Sequence, residues 1–224
     1  EAILDIKSRG KGVIVAGGTG LYIRALIYGL FEGVGACPEV RKKLLKEAQE
    51  LGRAHLYQKL LSVDPEAART IHPHNINRIV RALEVFYTTG KPISFFQKEH
   101  GFKEERLVTL KIALTKPRKI LYKDIEARVD RMLEEGLVEE VKRLLSMGYT
   151  KELKPLQAIG YREIIDYLEG RTTLDEAVRR LKKNTKDYAK RQITWLKKEK
   201  GIIWFNPEQK EDIINRVKAF LKKD

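Results

Sequence analysis

Four residues, Gly17-Gly18-Thr19-Gly20, stand between a short apolar run and an amphipathic stretch. Placed at the start of a helix, their backbone N–H groups and the positive helix end could face an anion or a base, with a hydroxyl added by Thr19. The alternative is a tight turn whose glycines permit positive φ. The phosphate-loop pattern G-x-x-x-x-G-K-[ST] occurs nowhere in the chain.

Three further groups could bind nucleic acid. His74-Asn75-Ile76-Asn77-Arg78 offers amides suited to base edges or a ribose, ahead of Arg78 and Arg81, although Asn75 can instead cap a helix. Gln157-Ala158-Ile159-Gly160-Tyr161-Arg162 places an amide, an aromatic ring and a guanidinium within six residues, a set suited to a splayed base and its phosphate. Arg128 falls on or beside the stripe Leu121, Ile125, Val129 and Met132. A cation there needs an anion, supplied by a buried salt bridge or a phosphate, or else it snorkels to water.

The elements that must hold these residues read as α/β. Gly12–Gly17 has the character of a buried parallel strand and Leu21–Leu30 of a helix. Apolar residues then recur at helical spacing from Pro38 to Thr89, which predicts a helical insert. Leu107–Leu114 alternates as a strand. Helices are predicted at about 117–135, 137–147, 161–168 and 174–199, then a last strand at Ile202–Phe205 and a C-terminal helix. So few strands make a poor parallel sheet, so further strands are expected upstream of Glu1. Along 174–199 one stripe carries Val178, Leu181, Thr185, Tyr188, Gln192 and Trp195, and another carries Lys183, Lys186, Lys190 and Lys197. The first stripe suggests a lined channel, the second a solvated or polyanion-facing surface.

Composition points the same way. Net charge of +14 and a pI near 9.7 favour a polyanionic partner, or a charge-rich solvated surface. One cysteine, Cys37, excludes an intrachain disulfide framework, and the four histidines show no zinc spacing. No apolar run approaches the roughly 20 residues of a membrane span and no signal peptide is evident, so no membrane partner and a cytoplasmic location are expected.

Taken together, the blocks Val15–Tyr22, Ile71–Pro73, Arg78–Val85, Thr89–Ser94, Ala158–Arg162 and Tyr188–Trp195 resemble the tRNA dimethylallyltransferase family, in the family's order. The resemblance implies a P-loop NTPase-like parallel-sheet core, at 1–32 and 105–224, whose N-terminal strands are missing. It also implies a helical insertion domain at 33–104 that grips the anticodon stem-loop. The implied reaction moves dimethylallyl from dimethylallyl diphosphate to N6 of the adenosine 3′-adjacent to the anticodon, with Mg²⁺. Carried over by position, Arg128 grips the diphosphate. Thr19, Arg41, His74, Asn75, Ile76, Asn77 and Arg78 contact tRNA, as do Gln157, Ala158, Ile159, Gly160, Tyr161 and Arg162. Thr185, Lys190, Arg191 and Gln192 are channel or phosphate candidates. A monomer is expected.

Three departures from the family pattern accompany this. The family's P-loop and its general-base Asp are absent, so the chain alone is expected to be inactive, and no metal ligand is assigned within it. His74-Asn75-Ile76-Asn77 stands where the family has Asn-Asp-Pro-Gln. Cys37 precedes Pro38 where a capping residue is expected. A non-catalytic RNA-binding module and a prenyltransferase of free adenine nucleotides are the competing readings.

Overall fold

The computed structural model describes residues 1–30, 35–102 and 104–222. In chain order the elements are α1 (Ala2–Ser8), α2 (Gly20–Tyr28), α3 (Pro38–Glu50), α4 (Arg53–Val63), α5 (Pro65–Thr70), α6 (Ile76–Thr89) and α7 (Ile93–His100). Then come β1 (Lys111–Leu114), α8 (Arg118–Glu134), α9 (Leu137–Ser146), a 3-10 turn (Lys154–Gln157), α10 (Tyr161–Leu168), α11 (Leu174–Leu196), β2 (Ile202–Phe205) and α12 (Lys210–Leu221). The chain divides into two compact units, one of Glu1–Gly20 with Thr109–Asp224 and one of Leu21–Val108. The expected boundary at 32/33 falls outside the described residues. The end of α2 belongs with the helical unit because Arg106 donates its backbone N–H to Ile27 O at 2.7 Å and the Tyr28 hydroxyl donates to Glu105 at 3.3 Å.

The helical unit is assembled by caps and by α6. Asn75 accepts from the Arg78 N–H at the start of α6, and Gly90, at φ 71°, ends it in the left-handed conformation that glycine adopts freely. Ile79, Leu83 and Val85 of α6 pack with Leu44, Leu56 and Leu60 into one buried core. Each such side chain contributes about 1.5–3 kcal/mol when fully buried. Buried Asp64 joins two helix starts: one carboxylate oxygen takes the Ala67 N–H at 2.9 Å and the other the Ser94 N–H at 3.0 Å.

The other unit is α/β. β1 and β2 pair in parallel, Lys111 opposite Ile202 and Leu114 opposite Phe205, with α8 to α11 in the connection. Val129, Leu137, Val141, Leu156, Ile164 and Leu181 form its helical core. The predicted helices are found with ends shifted by no more than a few residues.

The strands are where expectation and structure part. Gly12–Gly17 takes no regular secondary structure and pairs with no strand among the described residues, and Ile14 is 84% exposed. An isolated segment has no ladder to satisfy its backbone, so an apolar run alone does not make a strand. The strand expected from Leu107 begins only at Lys111, because its partner β2 offers four residues. No helix among the described residues is long and apolar enough to cross a membrane.

Candidate functional site

The glycine turn is built against α11. Gln192 Nε2 donates to Gly18 O at 3.1 Å, and a Cβ added to Gly18 would stand 2.0 Å from that nitrogen. A Cβ on Gly20 would stand 2.5 Å from the Trp195 ring. Neither residue has positive φ, so close approach of α11, and not an unusual backbone, demands glycine at both. Thr19 is left exposed between them. Asp187, Lys190, Arg191, Thr194 and Trp195 of α11, with Lys198 just beyond it, line an open cleft of about 360 Å³, and the buried Trp195 indole N–H has no hydrogen-bond partner among the described residues. Gln192 thus holds the turn at Gly18, and Lys190 and Arg191 line the cleft that Trp195 shares. Thr185 does not line that cleft, and its hydroxyl donates to Leu181 O at 2.8 Å.

Arg128 is exposed on α8 while its neighbours Ile125 and Val129 are buried. Of the two expected placements, on or beside the apolar stripe, Arg128 takes the second: one residue is about 100° of helix turn, which carries it off the stripe and into solvent. Its guanidinium makes no ion pair with a described residue.

The second cluster is the turn before α10. Gln157 Nε2 donates to Glu152 O at 3.2 Å, Ala158 is exposed, and Ile159 packs on the core. Gly160 adopts φ 106°, open only to glycine, and Tyr161 donates its hydroxyl to Glu140 at 2.7 Å. That bond, then burial, raises the phenol pKa, so the ring stays a neutral donor. Beneath the turn lies Glu163, 1% exposed, which accepts from the Gly160 N–H at 2.7 Å, Arg162 Nε at 2.5 Å and Asn184 Nδ2 at 2.8 Å. Burial pushes its carboxyl up, but the Arg162, Gly160 and Asn184 donors outweigh that and hold it below the usual carboxylate range. Sequence reasoning missed Glu163. Its signal was a Glu at the third helical position, half of a capping box that Gly160 has no oxygen to complete.

The helical unit repeats the device. Glu84, fully buried, accepts from the Cys37 N–H at 2.8 Å, Arg41 at 3.0 Å and Arg81 at 2.9 Å. Cys37 caps nothing with its side chain, as expected; Glu84 engages its backbone instead. Arg41 keeps its outer face in water, with 45% of its side chain exposed. In the expected RNA segment, His74, Asn77 and Arg78 are exposed, the Asn75 side-chain oxygen caps α6, and Ile76, the first residue of that helix, packs against the core.

Comparisons with known proteins identify the family. A family model described as IPP transferase matches residues 1–199. The tRNA dimethylallyltransferase of Geobacter metallireducens is 49% identical over 221 residues, covering 98% of this chain and 72% of the relative. That of Caldanaerobacter subterraneus is 50% identical over 206 residues, 91% of this chain and 65% of the relative. The crystal structure of the tRNA isopentenylpyrophosphate transferase from Bacillus halodurans superposes with a TM-score of 0.64 at 36% identity, covering 99% of this chain and 69% of that one. A eukaryotic dimethylallyltransferase acting on tRNA superposes at 0.69 with 30% identity, over 97% and 57%. With the family model spanning most of the sequence and relatives this similar along nearly its whole length, the chain belongs to the IPP transferase family.

Proposed function

We propose that the protein transfers a dimethylallyl group from dimethylallyl diphosphate to N6 of the adenosine 3′-adjacent to the anticodon of tRNA, on a P-loop NTPase-like core. The observation that carries this is the docking of the Gly17–Gly20 turn on α11 through Gln192 and Trp195, with Thr19 exposed and Lys190 and Arg191 lining the cleft at Trp195, in a chain whose relatives bear this activity in their names. In the reaction the N6 lone pair attacks the allylic carbon, the carbon–oxygen bond breaks, and its electron pair leaves on diphosphate. Positive charge develops on the allyl group and negative charge on the leaving oxygens, so a cation on those oxygens lowers the barrier. Arg128, exposed and without a described partner, is assigned that role. Thr19 offers the adenine a short hydroxyl donor or acceptor. No residue of this chain is assigned as the base that takes the N6 proton.

Arg41, His74–Arg78 and Gln157–Arg162 are assigned to the RNA, the first two groups to its anticodon stem-loop. Magnesium suits the diphosphate, since it keeps water and phosphate oxygens with one or two carboxylates. Among the described residues no three His, Cys, Asp or Glu side chains are grouped to hold a metal, so these residues form no all-protein cage and no step is given to the ion.

A polypeptide that carries this sequence together with the family's P-loop and general-base Asp, incubated with tRNA and labelled dimethylallyl diphosphate, should yield N6-dimethylallyladenosine on nucleoside analysis. The Arg128→Ala variant should lose at least about tenfold in kcat with tRNA affinity kept, the loss of one charge-assisted contact made in the transition state. Tight tRNA binding with no modified nucleoside from that P-loop-bearing polypeptide would favour a non-catalytic RNA-binding module. Label on free adenine nucleotides and not on tRNA would favour the small-molecule reading.

A further inference from the structure

Glu163 is the most buried charged group of its unit, and its three partners are chemically unlike: a backbone N–H at the turn, a guanidinium and an amide from α11. One carboxylate oxygen, Oε2, takes Gly160. The other, Oε1, is shared by Arg162 and Asn184. Gly160 is the residue whose φ of 106° turns the chain into α10, so the carboxylate fixes the turn and the side chain that follows it together.

The geometry of Arg162 is informative. It is anchored through Nε alone, and its Nη1 and Nη2 make no bond with a described residue. Its side chain is 49% exposed while that of Glu163 is 2% exposed. A guanidinium held by its inner nitrogen offers its outer edge in one orientation, and that edge carries the paired donors that match two phosphate oxygens. A purely structural salt bridge would bury that edge or spend it on the carboxylate.

We propose that Glu163 is a positioning residue for RNA. It holds the outer face of Arg162 toward a backbone phosphate and keeps the Gln157–Tyr161 turn in register with it, through Asn184 on α11. The inference rests on reading this turn as an RNA contact. It assigns to Glu163 no contact with the RNA and no step in the transfer.

The test measures tRNA affinity across salt concentrations, kcat at saturating tRNA, and thermal melting, for R162A, E163Q, R162K and the double variant R162A/E163Q. R162A should weaken tRNA binding about tenfold and make the slope of log affinity against log salt shallower by about one, as loss of a phosphate contact does. E163Q should do nearly the same, with kcat at saturating tRNA within about twofold, and the double variant should be little worse than R162A alone. R162K keeps the charge and leaves Glu163 intact, yet lacks the Nε anchor with its outer fork, so it should bind several-fold more weakly. It carries the test if E163Q fails to fold.

E163Q that melts lower but binds tRNA with unaltered affinity and slope would overturn the proposal, as would additive losses in the double variant. So would R162K equal to the unaltered protein. If R162A itself leaves tRNA binding unchanged, the reading of the turn as an RNA contact falls first, and that outcome is distinct from failure of Glu163 alone.

Discussion

A methyl group on Gly20 would stand 2.5 Å from the Trp195 ring, one on Gly18 2.0 Å from the tip of Gln192, and one on Gly17 near nothing within 4 Å. Three neighbouring glycines therefore carry three different predictions. Gly20→Ala meets a rigid indole and should cost about 1–3 kcal/mol, the range for overpacking. Gly18→Ala meets a flexible amide that swings away and forfeits its bond to Gly18 O, about 0.5–1.5 kcal/mol. Gly17→Ala should be neutral or slightly stabilising, because its φ is not positive and alanine loses less entropy on folding. Thermal melts of the three variants check the order, and Gly20→Ala melting with the unaltered protein would remove close approach as the reason for the glycine. The run of glycines was visible in the sequence as a turn beside the site. The cause of each was not, because Gln192 lies 174 residues away along the chain and only packing brings it back.

Helices were legible where a face was apolar at helical spacing and an end carried a cap, as in α6 between Asn75 and Gly90. The Gly12–Gly17 run misled because strand formation depends on a partner that local sequence does not specify. Glu84 was illegible for a related reason. Its place among Ile79, Val80, Leu83 and Val85 puts a charge on the buried face of α6, and beside Arg81 of the same helix its partners are Cys37 and Arg41, at the start of α3 and 47 and 43 residues away along the chain. Burial pushes the Glu84 carboxyl up, but Arg81, the Cys37 N–H and Arg41 together hold it below its usual value of 4.5. The folded form thus binds fewer protons than the unfolded form just below that value. Its stabilisation is present above about pH 4.5 and is lost as pH falls through the lowered pKa. Glu84→Gln should lower stability by about 1–3 kcal/mol at pH 7, since both arginines retain some contact with water. The deficit should shrink as the melt is repeated toward pH 3. A deficit that stayed constant with pH would mean that the charge of Glu84 contributes nothing.

At the scale of the molecule, each unit carries one buried glutamate that holds a half-exposed arginine, Glu84 with Arg41 and Glu163 with Arg162. The net charge of +14 pointed to a polyanion without saying where it binds, because lysines spread over solvated helix faces contribute as much to the sum as arginines fixed by carboxylates. Several of those lysines are already spent: Lys182 pairs with Asp130 at 2.6 Å, Lys116 with Asp124 at 2.7 Å, and Lys186 with Glu126. The effective number of phosphate contacts should therefore be far smaller than the charge. If Arg41, Arg78 and Arg162 each neutralise one phosphate, log affinity for tRNA should fall against log salt with a slope of about −2 to −3. Between about 50 and 200 mM salt that is a loss of about 16- to 64-fold. A slope near zero would remove phosphate contacts from the proposal altogether. A slope steeper than about −6 would mean that the lysine faces of α8 and α11 engage RNA as well, so that the fixed arginines are a minor part of the interface. Titrations of the unaltered protein and of the Arg41→Ala, Arg78→Ala and Arg162→Ala variants decide between these, since each fixed contact should remove about one unit of slope when its arginine is lost.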